Sequence, residues 1–372
     1  MTYFQESSVG YEIRFESQRP RDKCGILFCT TGIVFQMLKS DQSLANISHI
    51  ILDEVHERDL YTDILLGVLK GIVRNRTNPN LKIVIMSASL DVEMFSEYFF
   101  DCPVVEVDGR TEEVKEYFLE DFIDDLGPLT ELDALRSHFN DHSMNFVSMK
   151  GDYQRRYGSG SQGNKAKKML DIENPDRIIY EPLIQLIKKI DEERPRDGAI
   201  LVFLPGWEEI SHLEKTLTDF RNPAYLGEHA DVLPLHSQIE MKKQTMIFAP
   251  SLDGRRKVIL STNIAETSVT IDDVVYVIDS GRIKVLRYNP IQKACNLNME
   301  WISKSNAIQR AGRAGRVQEG FCWHMFSSRK FERLKKYLDP DIQRLQLEEV
   351  TLKILSLELV RKTFLHEIMT TI

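Results

Sequence analysis

The sequence predicts an α/β protein built from two successive units, each a parallel sheet covered by helices, and three observations carry that prediction. Short β-branched runs followed by amphipathic stretches recur in two separate blocks, the pattern of strands that alternate with covering helices. Between the blocks lies a charged segment containing Arg155-Arg-Tyr-Gly-Ser-Gly-Ser-Gln-Gly-Asn-Lys-Ala-Lys-Lys168, a composition that favours a linker. The length of 372 residues, 42% hydrophobic and 28% charged, suits two soluble domains and the opening of a third.

In the first block the candidate strands are Cys24–Phe28, Ile47–Leu52, Lys82–Met86 and Pro103–Val107. Between the second and third, Tyr61, Ile64, Leu65, Val68, Leu69 and Ile72 recur at helical spacing, so one face of a helix packs on the sheet. The second block supplies Ala199–Leu204, Lys257–Ser261, Val274–Ile278 and Phe321–Phe326. Beyond about 327 the pattern turns helical, with Leu345, Leu352, Ile354 and Leu355 as its apolar positions. The expected division is 1–118, a charged linker 119–176, 177–328, and a further helical region 329–372.

Composition excludes several classes. No apolar run approaches the length of a membrane span, and the first residues do not form a signal peptide, so no membrane partner is expected and the reading is intracellular: cytoplasm, nucleus or both. The 5 cysteines are scattered without a C-x-x-C pair, which suggests neither a disulfide framework nor a zinc site. A net charge of −8 argues against a uniformly basic coat for nucleic acid and leaves room for a locally basic cleft.

Chemistry concentrates at a few places. Asp53 and Glu54 follow the run Ile50-Ile-Leu52, at the carboxyl end of a strand where open α/β sheets bind ligands. Two such carboxylates suit Mg²⁺ and water; in phosphate-cleaving motors one holds the metal shell and the other orients or deprotonates the attacking water. A solvated loop offers the same dipeptide. Arg313 and Arg316, in Gln309-Arg-Ala-Gly-Arg-Ala-Gly-Arg316, present planar, always-charged forks for phosphate oxygens, although a Gly-Arg repeat also occurs in disordered nucleic-acid contacts. Thr267 and Ser268 are hydroxyls near a strand end, suited to a phosphate backbone or to an ordinary cap.

Taken together and in order, these segments resemble the motifs of the DEAH/DExH-box RNA helicases. Asp53-Glu-Val-His56 resembles motif II and Ser87-Ala-Ser89 motif III; Thr30-Thr31-Gly32 resembles the RNA-contacting motif Ib. Leu201–Gly206 with Leu235-His236-Ser237 resembles motif IV and its sequel, Ser261–Ile271 motif V, and Gln309–Arg316 motif VI. The stretch Asp197–Trp207 is most similar to the branch containing the G-quadruplex-resolving RNA helicase. Val55 stands where the name-giving motif has Ala, and Ser89 where motif III usually has Thr.

The resemblance implies two RecA-like parallel-sheet lobes, the first incomplete, followed by the start of a winged-helix region. It implies ATP with Mg²⁺ as cofactors and single-stranded or structured RNA as partner, with an activator protein among the partners of the family. It assigns catalysis to Asp53, Glu54, His56, Gln309, Arg313 and Arg316, metal to Asp53 and Glu54, nucleotide contacts to Ser87, Ser89, Asp273, Arg313 and Arg316, and RNA contacts to Thr30, Thr31, Gly32, Thr267 and Ser268. The segment from Arg282 through Met299 resembles the family's protruding hairpin.

One expected part is missing from the sequence. Motors of this kind cradle phosphates in a Gly-rich loop ending in Lys-Ser/Thr, and no Gly-Lys dipeptide occurs here. Gly158-Ser-Gly-Ser-Gln-Gly163-Asn-Lys165 has the glycine spacing but Asn where Lys belongs. By resemblance, Val9–Glu16 falls downstream of such a loop, so the first sheet is expected to lack interior strands and to be the less stable one. The alternative reading is a catalytically inactive RNA- or partner-binding fragment of such a helicase.

Overall fold

The computed structural model describes residues 8–20, 25–88, 92–107, 109, 112–127, 172–173, 177–193, 198–227, 230–239, 245–249, 254–267 and 269–356. Two compact units emerge. Unit 1 comprises Met1–Glu106, Leu286–Asn296 and Asp339–Ile372; unit 2 comprises Val107–Val285 and Leu297–Leu338.

Unit 1 opens with β1 (Val9–Ile13), β2 (Glu16–Gln18) and β3 (Ile26–Cys29), followed by α1 (Thr31–Ser40). Then come β4 (His49–Leu52), α2 (Leu60–Arg74), β5 (Lys82–Ile85) and α3 (Val92–Tyr98). The strands form two separate sheets, β2-β1-β3 and β4-β5, with β1–β3 and β4–β5 parallel. Helix α2 follows the predicted spacing: Ile64, Leu65, Val68, Leu69 and Ile72 are buried in a core shared with Ile50, Leu52, Phe35 and Leu38. Its start is fixed by Asp59, whose carboxylate accepts from the amides of Tyr61 and Thr62, both at 3.1 Å.

Parallel sheets are normally covered on both faces. Here Ile50 and Leu52 are buried while Ile51 is 61% exposed, and Ile26 and Phe28 are 61% and 65% exposed. In β4 one face therefore carries the core and the other meets solvent, while β3 buries no residue fully. The expected strand Pro103–Val107 does not form: these residues have no strand partner among the described residues, and Val105 is 83% exposed. A β-branched run becomes a strand only when an edge is there to receive it.

In unit 2, β6 (Val114–Tyr117) and α4 (Leu119–Phe122) precede α5 (Tyr180–Glu193), β7 (Ala199–Phe203), α6 (Trp207–Thr218), β8 (Ala230–Leu235), β9 (Arg256–Ser261) and β10 (Val274–Asp279). The hairpin strands β11 (Arg282–Asn289) and β12 (Ala294–Trp301), of which Leu286–Asn296 is counted in unit 1, pair with each other, so the segment read as a hairpin does form one. After them come α7 (Lys304–Ala311), β13 (Gly320–His324) and α8 (Ser328–Arg333). Six strands form one sheet in the order β6-β13-β10-β7-β9-β8, and all five pairings are parallel. Strands β7, β9 and β10 are buried along their whole length, with an apolar cluster on each face of the sheet. This is a RecA-like parallel sheet.

The boundaries differ from those expected. Residues 107–118 belong to unit 2, because β6 pairs with β13 rather than with the first sheet. Residues 119–126 are no linker: Leu119, Phe122, Ile123 and Leu126 bury their side chains in the core of unit 2. The rest of the expected linker, including Arg155–Lys168, lies almost wholly outside the described residues. The expected region 329–372 is divided at 338/339; α9 (Asp341–Arg344) and α10 (Glu348–Ser356) belong to unit 1, where Val350 and Ile354 join the α2 core. Among the described residues no helix is long and apolar enough to cross a membrane.

Candidate functional site

In unit 1 the strand β4 delivers its chain directly into Asp53 and Glu54. The backbone turns sharply there: Glu54 has φ 53° and ψ 36°, and Arg58, closing the 3₁₀ turn Val55–Glu57, has φ 53° and ψ 39°. Left-handed conformations cost a non-glycine residue about 1–2 kcal/mol and gather where function holds the chain in place. The turn is held by several bonds. The amide of Val55 donates to Met86 O (3.2 Å), that of Met86 to Leu52 O (2.8 Å), and that of Ala88 to His56 Nδ1 (3.4 Å). The Glu54 amide donates to Asp53 Oδ1 at 2.9 Å. Val55 is fully buried, so a branched side chain is accommodated at this position.

The structure thus joins the Asp53–His56 segment to the loop after β5 that carries Ser87; Ser89 lies outside the described residues. His56 Nδ1 is 3.4 Å from Glu54 Oε2, which places imidazole and carboxylate at one point. Behind the turn, Arg58 Nε binds buried Asp63 at 2.7 Å, and burial raises the Asp63 carboxyl despite that partner. At the end of β3, Thr30 precedes α1 with an exposed side chain that makes no capping bond. Thr31 and Gly32 form the first helical turn, and a Cβ at Gly32 would meet nothing within 4 Å. These first-turn amides and hydroxyls are the kind of donor that receives a phosphate.

In unit 2 the predicted residues sort to the two edges of the sheet. Thr262 and Thr267 follow the carboxyl end of β9, and His236 that of β8, where its ring lies 5.6 Å from Trp207. Thr267 is half-buried; Ser268 lies outside the described residues. Helix α7 then carries the chain to the opposite, amino edge. Gln309 is on its last turn, half-buried. Gly315 O accepts from the Glu112 amide at 2.9 Å, just ahead of β6, and Arg313 Nη1 donates to Val269 O at 3.4 Å. Asp273, immediately before β10, lies at this same edge, so Arg313 and Asp273 are brought to one side of the sheet. Asp273 is held by the buried ammonium of Lys257 at 2.5 Å. Arg316 is half-buried.

The residue that sequence reasoning missed is Arg310. It is fully buried, its Nε binding Glu266 Oε2 at 3.0 Å and its Nη1 binding Asp279 Oδ1 at 2.7 Å. Asn306 also donates to Glu266, and the Arg310 guanidinium lies 4.9 Å from the Phe203 ring centroid. Asp279 continues the chain of charges to His324 Nδ1 (3.2 Å), whose Nε2 meets Glu116 at 3.0 Å. Burial pushes the Glu266 carboxyl up in spite of Arg310 and Asn306. For Asp279 burial works the same way, but Arg310 and His324 outweigh it and hold the carboxyl below its usual range. This network ties the loop after β9 to α7 and to the end of β10. The available signal was an arginine beside Gln309 on a helix that must pack on the sheet, with carboxylates at 266 and 279 to meet it.

Among the described residues no group of three or more His, Cys, Asp or Glu could hold a metal ion by itself. An acidic pair without further protein ligands fits Mg²⁺, which keeps waters and substrate phosphates in its shell.

Known proteins share sequence and fold with this chain. Residues 179–318 match the helicase conserved C-terminal domain. The chain is 41% identical to the ATP-dependent DNA/RNA helicase DHX36 of Bos taurus across 95% of its own length and 36% of that protein. It is 40% identical to the ATP-dependent RNA helicase DHX30 of Gallus gallus, covering 93% of this chain and 25% of the relative. The crystal structure of the E. coli DExH-box NTPase HrpB matches with a TM-score of 0.66 at 26% identity, over 94% of this chain and 36% of that one. The chain therefore spans about a third or less of the length of these relatives. Over most of its own length the chain is similar to helicases of the DEAH/DExH-box type, and residues 179–318 carry the helicase conserved C-terminal domain.

Proposed function

We propose that this chain is the motor core of an ATP-dependent RNA helicase, coupling ATP hydrolysis to movement along single-stranded RNA and to unwinding of RNA structure. The observation that carries the reading is the left-handed turn at Glu54, held against the Ser87–Ala88 loop so that Glu54 and His56 meet next to Asp53 at the end of β4. Asp53 and Glu54 are the residues that would hold Mg²⁺, which when bound with ATP would supply positive charge against the phosphates. Asp53 would hold the metal shell, Glu54 would orient the attacking water and take its proton, and His56 links that pair to the Ser87 loop. Gln309 helps to place the water. Arg313 and Arg316 supply positive charge to the departing phosphate. Asp273, Ser87 and Ser89 contact the nucleotide, while Thr30, Thr31, Gly32, Thr267 and Ser268 grip the RNA backbone. Contacts of that kind position a strand without reading its bases.

The sequence contains no Gly-Lys dipeptide to cradle the phosphates, and this supports a second reading in which the chain binds RNA or a partner without hydrolysing ATP. RNA-stimulated phosphate release separates the two. Turnover that disappears in Glu54→Gln supports the motor; RNA binding with no turnover supports the second reading.

A further inference from the structure

Unit 2 carries a basic, aromatic-lined surface that none of the assigned motifs includes. The segment Ser327-Ser-Arg-Lys-Phe-Glu-Arg-Leu-Lys-Lys-Tyr-Leu338 holds five Lys/Arg and one acid, in a chain whose net charge is −8. Main-chain bonds fix where these side chains stand: the Lys304 amide donates to Lys335 O at 2.8 Å and the Ser305 amide to Lys336 O at 3.2 Å. Lys304 at the start of α7 is thereby set beside Lys335 and Lys336. Aromatic rings lie among the cations. Lys330 Nζ is 4.2 Å from the Trp301 centroid, with the Arg282 guanidinium on the same ring at 3.0 Å; Lys304 lies 5.8 Å from Phe331 and Lys336 4.9 Å from Tyr337. Arg333, Lys335 and Lys336 are exposed.

We infer that this surface, formed by Lys304, Lys330, Arg333, Lys335 and Lys336 around Trp301, binds the phosphate backbone of a single nucleic-acid strand. Ammonium groups on long flexible stems, their backbone fixed side by side, suit a chain of phosphates, as in the basic grooves that track the backbone in sequence-tolerant single-strand binders. Burial draws the Lys330 ammonium down to about 8, aided by Arg282 and Arg333 and opposed by Glu173. A neighbouring phosphate would favour the charged ammonium at that position. The inference rests on the nucleic-acid reading proposed above and extends it to a surface outside the motifs.

The test is fluorescence anisotropy of a labelled single-stranded oligouridylate with the full chain, titrated at several salt concentrations, for wild type and for Lys304→Gln/Lys335→Gln/Lys336→Gln. The clamp uses main-chain carbonyls of 335 and 336, so these changes leave it intact, and an unchanged melting curve verifies this. Removing one cation from the phosphate backbone of a single strand lowers the slope of log K against log salt by about 0.7, so a fall of roughly 2 is expected for the triple variant. Arg333→Gln, at an exposed position, gives an independent reading of a single cation. An unchanged slope in both variants overturns the inference and leaves the proposed function standing. Wild type that binds no oligonucleotide overturns both. Loss of binding to phosphatidylserine vesicles with oligonucleotide binding intact assigns the surface to lipid instead, and also overturns it.

Discussion

Arg310→Met removes the guanidinium that bridges Glu266 and Asp279, and the structure sets the size of the effect. All three side chains are buried to within 3% of full burial, so the two carboxylates left behind have no solvent to turn to. Removing one partner of a buried ion pair typically costs about 3–5 kcal/mol, because a charge remains uncompensated. For a unit of about two hundred residues that corresponds to a fall in melting temperature of roughly 6–20 °C. Differential scanning calorimetry of wild type and variant reads it, with the transition of unit 2 identified by tryptophan fluorescence from Trp207, Trp301 and Trp323. Glu266→Gln added to Arg310→Met should restore part of the loss, since it removes one stranded charge; Glu266→Gln alone should destabilise. A loss below about 1 kcal/mol, or strict additivity of the two changes, would refute the reasoning, for such values belong to solvated pairs and independent sites.

Other outcomes follow from the same structure. The imidazole of His324 is raised well above its ordinary value: burial works against the charge, and Cys322, Asp279 and Glu116 outweigh it. A group with a raised folded value lends its stability fully below its unfolded value, about 6.5, and loses it as pH rises through the folded one. The stability difference between wild type and His324→Gln should therefore be largest near pH 6 in urea titrations and shrink towards alkaline pH; a difference that grows with pH contradicts the assignment. Gly281 has φ +70°, and a Cβ there would lie 2.4 Å from the buried Phe326 ring, so Gly281→Ala should lower the urea-derived stability of unit 2 by about 2 kcal/mol or more. Unit 1 should open first: in hydrogen-exchange mass spectrometry, peptides covering β3, β4 and β5 should exchange before those covering β7, β9 and β10. Equal protection of the two sets would show that the split sheet is no weakness.

The legible parts of the fold share a physical cause. Strands β7, β9 and β10 are buried on both faces, so each reads as an unbroken apolar run. Strand β6, Val114-Lys-Glu-Tyr117, sits at the sheet edge with its charges in solvent, and β8 at the other edge contains Pro234; both lie below the threshold of a hydrophobic-run reading. Pro103–Val107 fails in the opposite direction, since strand propensity cannot supply a neighbour. Leu119, Phe122, Ile123 and Leu126 were hidden among acidic residues, although their spacing of three and four is helical.

The candidate site divides along the same line. Asp53 and Glu54 follow from a strand ending in a carboxylate pair, which sequence displays directly. Their bond to the Ser87 loop, and the left-handed backbone at Glu54, require coordinates. Arg310 stands 31 residues from Asp279 and 44 from Glu266, so its role exists only in the folded unit. The placement of Arg313 and Asp273 at the amino edge is likewise a consequence of α7 crossing the sheet, which no local pattern announces.

The central claim, that Asp53 and Glu54 are the hydrolytic carboxylates of an RNA-driven motor, is tested most directly by RNA-stimulated phosphate release from ATP·Mg²⁺. The assay compares this chain, the same chain with the P-loop segment of a relative joined ahead of it, and the joined chain carrying Glu54→Gln. Turnover by the joined chain alone, lowered by about 100-fold or more in Glu54→Gln, is the predicted result. Turnover by the joined chain that survives both Glu54→Gln and Asp53→Ala would contradict it.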